Sequence, residues 1–223
     1  METALRIVAA GLSAYLVGSV PWAVIVVRIF WKQDIRSLGS GNTGATNVLR
    51  VFGTAPGVAV LLLDGAKGAL GVWLASLFID PAWGPAGTDW LMVLGAFLSI
   101  AGHTFSPFIG FRGGKGIATA AGAITVLAPL VWPVLLVIFL VAAGASRMVS
   151  VGSIALAAVF PVVCWVVYPD RIALLLFSIL ASALVLWRHR SNMARIARGE
   201  EPRVRFTRRQ WDEMRSRRSD GGE

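Results

Sequence analysis

Six apolar runs, near residues 5–27, 55–79, 90–107, 117–145, 149–167 and 171–187, alternate with short polar strips. A helix needs roughly 20 apolar residues to cross the hydrocarbon of a bilayer, and the runs are close to that length. The pattern predicts an all-α, polytopic integral membrane protein. The strips differ in sign. Residues 80–89 (DPAWGPAGTD) hold two acids and no base, whereas 28–50, 108–116 and the stretch after Trp187 hold the bases. Basic loops stay on the cytoplasmic side, so 80–89 is expected outside and the basic strips inside. The run 117–145 decides the parity. As one span it would carry Arg147 and the arginine-rich end outside. As two short spans hinged around Pro129 and Pro133 it returns that end to the cytoplasm. Proline lacks an amide hydrogen and clashes within a helix, which favours the break. Seven transmembrane helical segments are expected, with the N-terminus out and the C-terminus in.

Composition follows from these runs: the chain is 56% hydrophobic and 15% charged, where a soluble domain carries about a quarter charged residues. Residues 1–202 are expected to form one membrane domain, and 203–223 a basic cytoplasmic tail, peripheral or disordered. The formal net charge of +9 does not imply nucleic acid as a partner. No basic patch lies on a foldable soluble module, and arginines beside spans obey the topology rule. The single cysteine, Cys164, permits no disulfide framework. Arg28, Lys32 and Arg36 follow the first apolar run, whereas a signal peptide carries its bases ahead of one; this run is expected to be retained as a span. The halves of the chain show no repeat, unlike many transporters.

Three polar stretches carry candidate chemistry. In GSGNTGATNVLR (39–50), Gly39, Gly41 and Gly44 allow backbone amides to curl around an anion. Ser40, Asn42, Thr43 and Asn47 add neutral donors, and Arg50 adds a planar fork suited to phosphate. A helix opening near residue 46 would add its N-terminal amides. A plain interfacial turn needs only two or three such residues. GHTFSPFIGFRGGKGIAT (102–119) places Arg112 and Lys115 among Gly113, Gly114 and Gly116 ahead of a new span. A phosphate loop of the nucleotide-hydrolysing kind would need glycine at 109 and Ser or Thr at 116. Ile109 and Gly116 stand there, leaving either a second phosphate-suited loop or a positively charged connector. His103 lacks the acid five residues further on that many glycerolipid acyltransferases pair with it. Phe108 is in that place, so His103 is expected to be a structural hydrogen-bonder.

In WRHRSNMARIARGEEPR (187–203), His189 and Asn192 share a helix face and Gly199 is placed to end that helix. A basic amphipathic helix on anionic lipid would explain the arginines, but not this pair. Asp64 and Lys67, inside an apolar run, are expected to form a structural ion pair positioning the 39–50 loop, since intramembrane charges are costly unless paired. Ser150 and Ser153, at the start of a span, either cap it or reach a substrate. No His, Asp or Glu cluster has metal-ligand spacing, and no cofactor is expected.

Together these stretches resemble the bacterial membrane glycerol-3-phosphate acyltransferases of the PlsY family. SGNTGATNVLR (40–50), GHTFSPFIGFRGGKGIAT (102–119) and HRSNMARIARGEE (189–201) match its three motifs. LLLDGAKGAL and GSVPWAVIVV look like the family too, and the resemblance extends to about Arg203. It implies acyl transfer from acyl phosphate to the sn-1 hydroxyl of glycerol 3-phosphate, the first acylation step of phospholipid synthesis, in the bacterial inner membrane with a cytoplasmic active site. It also implies membrane lipid and the acyltransferase that makes acyl phosphate as partners. Ser40, Arg50, Lys115, His189 and Asn192 are the candidate catalytic residues. Gly39, Gly41, Asn42, Gly44, Thr46, Asn47, Arg112, Gly113, Gly114, Gly116, Ser150 and Ser153 are candidates for substrate binding. The alternative is a transporter or channel for a small phosphorylated anion. It predicts polar residues reaching the membrane midplane, and beyond Asp64 and Lys67 the spans offer none.

Overall fold

The computed structural model describes residues 1–203; the expected tail from residue 204 onward lies outside the described residues. Ten α-helices form it: α1 (Glu2–Gly18), α2 (Trp22–Trp31), α3 (Ala45–Phe52), α4 (Thr54–Ser76), α5 (Gly84–Thr104), α6 (Ile117–Leu127), α7 (Val131–Ser146), α8 (Val149–Val167), α9 (Ile172–Arg188) and α10 (Arg190–Ala197). No strand occurs among the described residues. Each predicted apolar run is helical. Four stretches are long and apolar enough to cross a bilayer: Glu2–Trp31, α4, Pro81–Ile109 and α8. The α9–α10 pair, bent by 55°, adds a fifth when the two helices are counted as one span, and α6 and α7 are shorter apolar helices.

The 117–145 run breaks at residues 128–130, beside Pro129. Pro133 does not hinge it; it sits in the first turn of α7, where a missing amide hydrogen costs no helical bond. The 5–27 run, expected as one span, is divided at residues 19–21. Pro21 interrupts the ladder, and the carbonyls beside it are taken up by distant side chains. Lys67 Nζ donates to Val20 O at 2.7 Å and Ser106 Oγ to Ser19 O at 2.6 Å. A break buried within protein is tolerated at membrane depth when its polar groups are satisfied in this way. Lys67 also pairs with Asp64 at 2.9 Å, both buried. The pair therefore braces the α1–α2 break, where the sequence led us to expect a brace for the 39–50 loop.

Helix α4 packs against α1, α3, α5 and α6. Lipid tails are as apolar as leucine, so small residues that admit close backbone approach drive such packing. A Cβ on Gly68 would lie 1.9 Å from Thr119 O, and one on Gly122 would lie 1.8 Å from Gly65 O. The α4–α6 crossing is therefore backbone against backbone. Gly102 plays the same part between α5 and α1, 2.3 Å from Tyr15 O. One apolar core runs from α4 through α5, α6 and α7 to α8 and α9, where Phe160 and Phe177 meet edge to face at 5.9 Å. The C-terminal end of α6 is capped by Arg171, whose Nη1 donates to Leu127 O at 2.7 Å while Nη2 pairs with Asp89. The opposite end of α6, about 16 Å away at 1.5 Å per residue, opens the site.

Candidate active site

A cavity of about 140 Å³ lies where the 39–50 loop, the 102–119 loop, the start of α8 and the α9–α10 bend meet. Ser40, Arg50, Lys115, His189 and Asn192 all line it, as do Asn42, Gly44, Thr46, Asn47, Gly116, Ser150 and Ser153. Three helices present their first turns to it: Ala45 and Thr46 of α3, Ile117 and Ala118 of α6, Val149 and Ser150 of α8. First-turn amides lack intrahelical acceptors, and the helix dipole adds positive potential at that end. Gly116 stands immediately before α6 at φ +81, a left-handed conformation that glycine adopts without steric cost.

Charge in the cavity is uneven. Asp64 is paired with Lys67, and Glu201 with Arg195. Among the described residues no carboxylate forms an ion pair with Arg50. Lys115 Nζ donates to Asn192 Oδ1, so this ammonium faces a neutral amide. Burial, reinforced by Arg195, Arg50 and Arg188 and opposed by Glu201, brings Lys115 down to about 8. Arg50 is also lowered by burial. An anion entering here would meet two cations without a bound carboxylate. His189, at the bend between α9 and α10, is lowered to about 4 by burial and by Lys115. It is neutral near pH 7. Its Nδ1 lies 2.8 Å from Val185 O and must carry the hydrogen, leaving Nε2 as an acceptor.

Some predicted residues serve the site from behind it. Asn47 lines the cavity, but its side chain holds the 39–50 loop together. Its Oδ1 accepts from Ser40 N at 2.9 Å, and Nδ2 donates to Leu38 O and Asn42 O, both at 3.0 Å. Gly39 and Gly41 do not line the cavity; at φ +58 and +70 they bend the loop around Asn47, and a Cβ on Gly39 would lie 2.4 Å from Asn47 Oδ1. Arg112 is exposed and outside the cavity. Gly113 and Gly114 are also outside it. Their amides donate to Thr104 O and His103 O at 3.0 and 3.2 Å, so neither is free for phosphate. A Cβ on Gly114 would stand 2.1 Å from His103 Nε2, so these glycines are there for close packing. Arg188 secures the same turn, donating to Gly113 O at 2.6 Å and to Gly114 O at 3.2 Å.

His103 is buried with Nδ1 3.5 Å from Asp64 Oδ1. Both line the cavity, a placement the sequence reading did not foresee for either. It also missed Glu201, whose Oε1 accepts from Asn192 Nδ2 at 2.7 Å. The available signal was a carboxylate two residues after a glycine helix stop, within an arginine-rich stretch. Leu61 and Phe139, which give the cavity an apolar wall, had no signal, because every face of an apolar span looks alike.

Comparison with known proteins identifies this arrangement. The family model for glycerol-3-phosphate acyltransferase matches residues 8–199. The glycerol-3-phosphate acyltransferase of Staphylococcus carnosus is 41% identical over 197 residues, covering 87% of this chain and 96% of that protein. The enzyme of the same name from Synechococcus sp. is 41% identical over 207 residues, covering 92% and 96%. A crystal structure of PlsY, an integral membrane glycerol 3-phosphate acyltransferase, in its glycerol 3-phosphate form superposes with a TM-score of 0.81 at 32% identity, covering 89% of this chain and 96% of that one. The lysophosphatidic acid form gives 0.78 at 30% identity, covering 92% and 96%. With its motifs converging on one cavity inside an all-helical membrane fold, the chain belongs to the PlsY family of integral membrane glycerol-3-phosphate acyltransferases.

Proposed function

We propose that this enzyme takes its acyl group from acyl phosphate and transfers it to the sn-1 hydroxyl of glycerol 3-phosphate, giving lysophosphatidic acid and inorganic phosphate. The observation that carries the reading is the convergence of Arg50, Lys115 and three helix N-termini on one cavity. Both substrates are phosphate esters or anhydrides, and helix N-termini with fixed cations are suited to phosphate. The glycerol 3-phosphate and lysophosphatidic acid forms of the related crystal structures support glycerol 3-phosphate as the acceptor and lysophosphatidic acid as the product.

In this mechanism Arg50 grips one phosphate through its fork, and Lys115 with the α3 and α6 amides stabilises charge on the leaving phosphate and the tetrahedral oxyanion. Ser40, His189 and Asn192 place the acceptor, His189 Nε2 accepting from its hydroxyl. The hydroxyl oxygen attacks the acyl carbon, the bond from that carbon to the phosphate oxygen breaks, and the hydroxyl proton leaves on the phosphate. Stoichiometry thus needs no net proton acceptor in the protein, in keeping with a His189 that is hard to protonate. Acceleration comes chiefly from positioning and fixed dipoles. The acyl chain lies along the apolar wall of Leu61 and Phe139.

The proposed setting is the bacterial inner membrane, crossed by seven helical segments, with the N-terminus outside and the cavity facing the cytoplasm. A cytoplasmic mouth would admit water-soluble glycerol 3-phosphate and allow hand-over from the enzyme that makes acyl phosphate. The test is lysophosphatidic acid formation by purified enzyme supplied with acyl phosphate or acyl-CoA, together with phosphate release from acyl phosphate with and without glycerol 3-phosphate. Acceptor-dependent release from acyl phosphate alone is expected. Release without acceptor, or equal use of acyl-CoA, overturns the donor assignment. Lys115→Ala and Arg50→Ala are each expected to lose on the order of 100-fold or more in rate; near-normal rates overturn the site assignment.

A further inference from the structure

Behind Lys115 runs a chain of polar groups that reaches the end of the described residues. Asn192 accepts from the Lys115 ammonium and donates through Nδ2 to Glu201 Oε1 at 2.7 Å. Arg195 Nε donates to Glu201 Oε2 at 2.8 Å. Glu201 is 4% exposed although it follows a surface turn. The turn explains this. Helix α10 ends at Ala197, Gly199 takes φ +71, and Glu200 N donates back to Arg195 O at 2.8 Å. The chain is thereby reversed, and the next side chain is returned beneath α10.

An ammonium only donates and an ionised carboxylate only accepts. An amide caught between them has one possible orientation, with its oxygen toward Lys115 and its nitrogen toward Glu201. We infer that Glu201 is a positioning residue of the acyl-transfer site, fixing the Asn192 amide so that its oxygen holds Lys115 Nζ in the cavity. This rests on the reading of Lys115 as the phosphate ligand.

The charges around Lys115 give the arrangement a measurable signature. Arg50 on α3, Arg188 at the end of α9 and Arg195 on α10 all disfavour its ammonium, and neutral His189 stands at the bend. Asp64 of α4 is committed to Lys67. Glu201 is the carboxylate that favours the Lys115 ammonium. Arg195 holds the other oxygen of Glu201, so the carboxylate supports Lys115 without presenting an unpaired negative charge to an incoming phosphate.

The experiment uses the full chain in detergent and reads Lys115 directly. The sequence has three lysines, Lys32, Lys67 and Lys115, so peptide mass spectrometry resolves acetylation of each by acetic anhydride across a pH series. In Glu201→Gln the apparent pKa of Lys115 is expected to fall by about half a unit or more, making Lys115 label roughly three-fold faster below its pKa. The alkaline limb of kcat/KM should move with it. Unchanged Lys115 titration in a folded Glu201→Gln protein overturns the inference, because a purely structural role would lower yield without moving that pKa. If this variant does not fold, Arg195→Gln decides. Removing a repelling cation should raise the Lys115 pKa and slow its labelling, and a fall or no change overturns the inference. The labelling does not depend on the acyl donor. A Lys115 titration that responds to Glu201 in an enzyme that ignores acyl phosphate would uphold the coupling and sink the functional reading.

Discussion

Asn47→Ala separates scaffolding from substrate contact. Asn47 is 2% exposed and ties Ser40 N, Leu38 O and Asn42 O together at 2.9, 3.0 and 3.0 Å. At about 1 kcal/mol net for each hydrogen bond, their loss removes about 3 kcal/mol of loop stabilisation. That corresponds to roughly a 100-fold change in the ratio of ordered to loosened loop. Hydrogen exchange on peptides covering residues 36–44 reads the loop, and initial rates of acyl transfer read the site. Exchange around the Ser40 amide should accelerate by on the order of 100-fold, limited by how ordered the wild-type loop is. The rate constant kcat/KM should fall by about 10- to 100-fold as the competent loop is depopulated. Asn42→Ala is the comparison. Asn42 also lines the cavity, but its side chain makes no hydrogen bond to the loop among the described residues, so its exchange should be near wild type. Lost activity in Asn47→Ala with unchanged exchange would refute the scaffolding role and return Asn47 to direct contact with substrate.

Lys115, lowered to about 8 against an ordinary 10.5, gives activity and stability opposite pH trends. Activity that needs the ammonium should decline as pH rises through about 8. Between about 8 and 10.5 the unfolded chain binds the proton that the folded chain has released, so this lysine's contribution to stability should rise with pH there; parallel pH–rate and thermal-unfolding series on wild type and Lys115→Met check both signs. Gly122→Ala should cost about 1–3 kcal/mol, because the new Cβ would stand 1.8 Å from Gly65 O. Gly144→Ala, with nothing within 4 Å, should be neutral or stabilising by up to about 1 kcal/mol, and thermal unfolding in detergent compares them. Lys67→Met leaves Asp64 without its cation and Val20 O without its donor, and should cost about 3–5 kcal/mol, read as a large drop in unfolding midpoint.

The sequence by itself determined where the helices lie and which stretches carry the chemistry. A bilayer requires long apolar segments and exposes every unpaired charge as a cost, so helical runs and polar strips are visible residue by residue. The break at Pro129 was legible for the same reason, as a local property of a proline. The break beside Pro21 was not anticipated, because its survival depends on Lys67 and Ser106 reaching carbonyls 47 and 87 residues away.

Tertiary structure decided what each polar residue does within its strip. Gly113 and Gly114 look like a phosphate cradle in sequence, yet their amides are spent on Thr104 and His103. Asn47 looks like a ligand, yet its amide serves the loop. The alignment of three helix starts on one cavity, and the Lys115–Asn192–Glu201 chain, join groups far apart in sequence, 77 residues for the Lys115–Asn192 contact. Hydrogen bonding acts over about 3 Å, and composition cannot say which distant donors and acceptors the packing of α4 against its neighbours will bring within that distance.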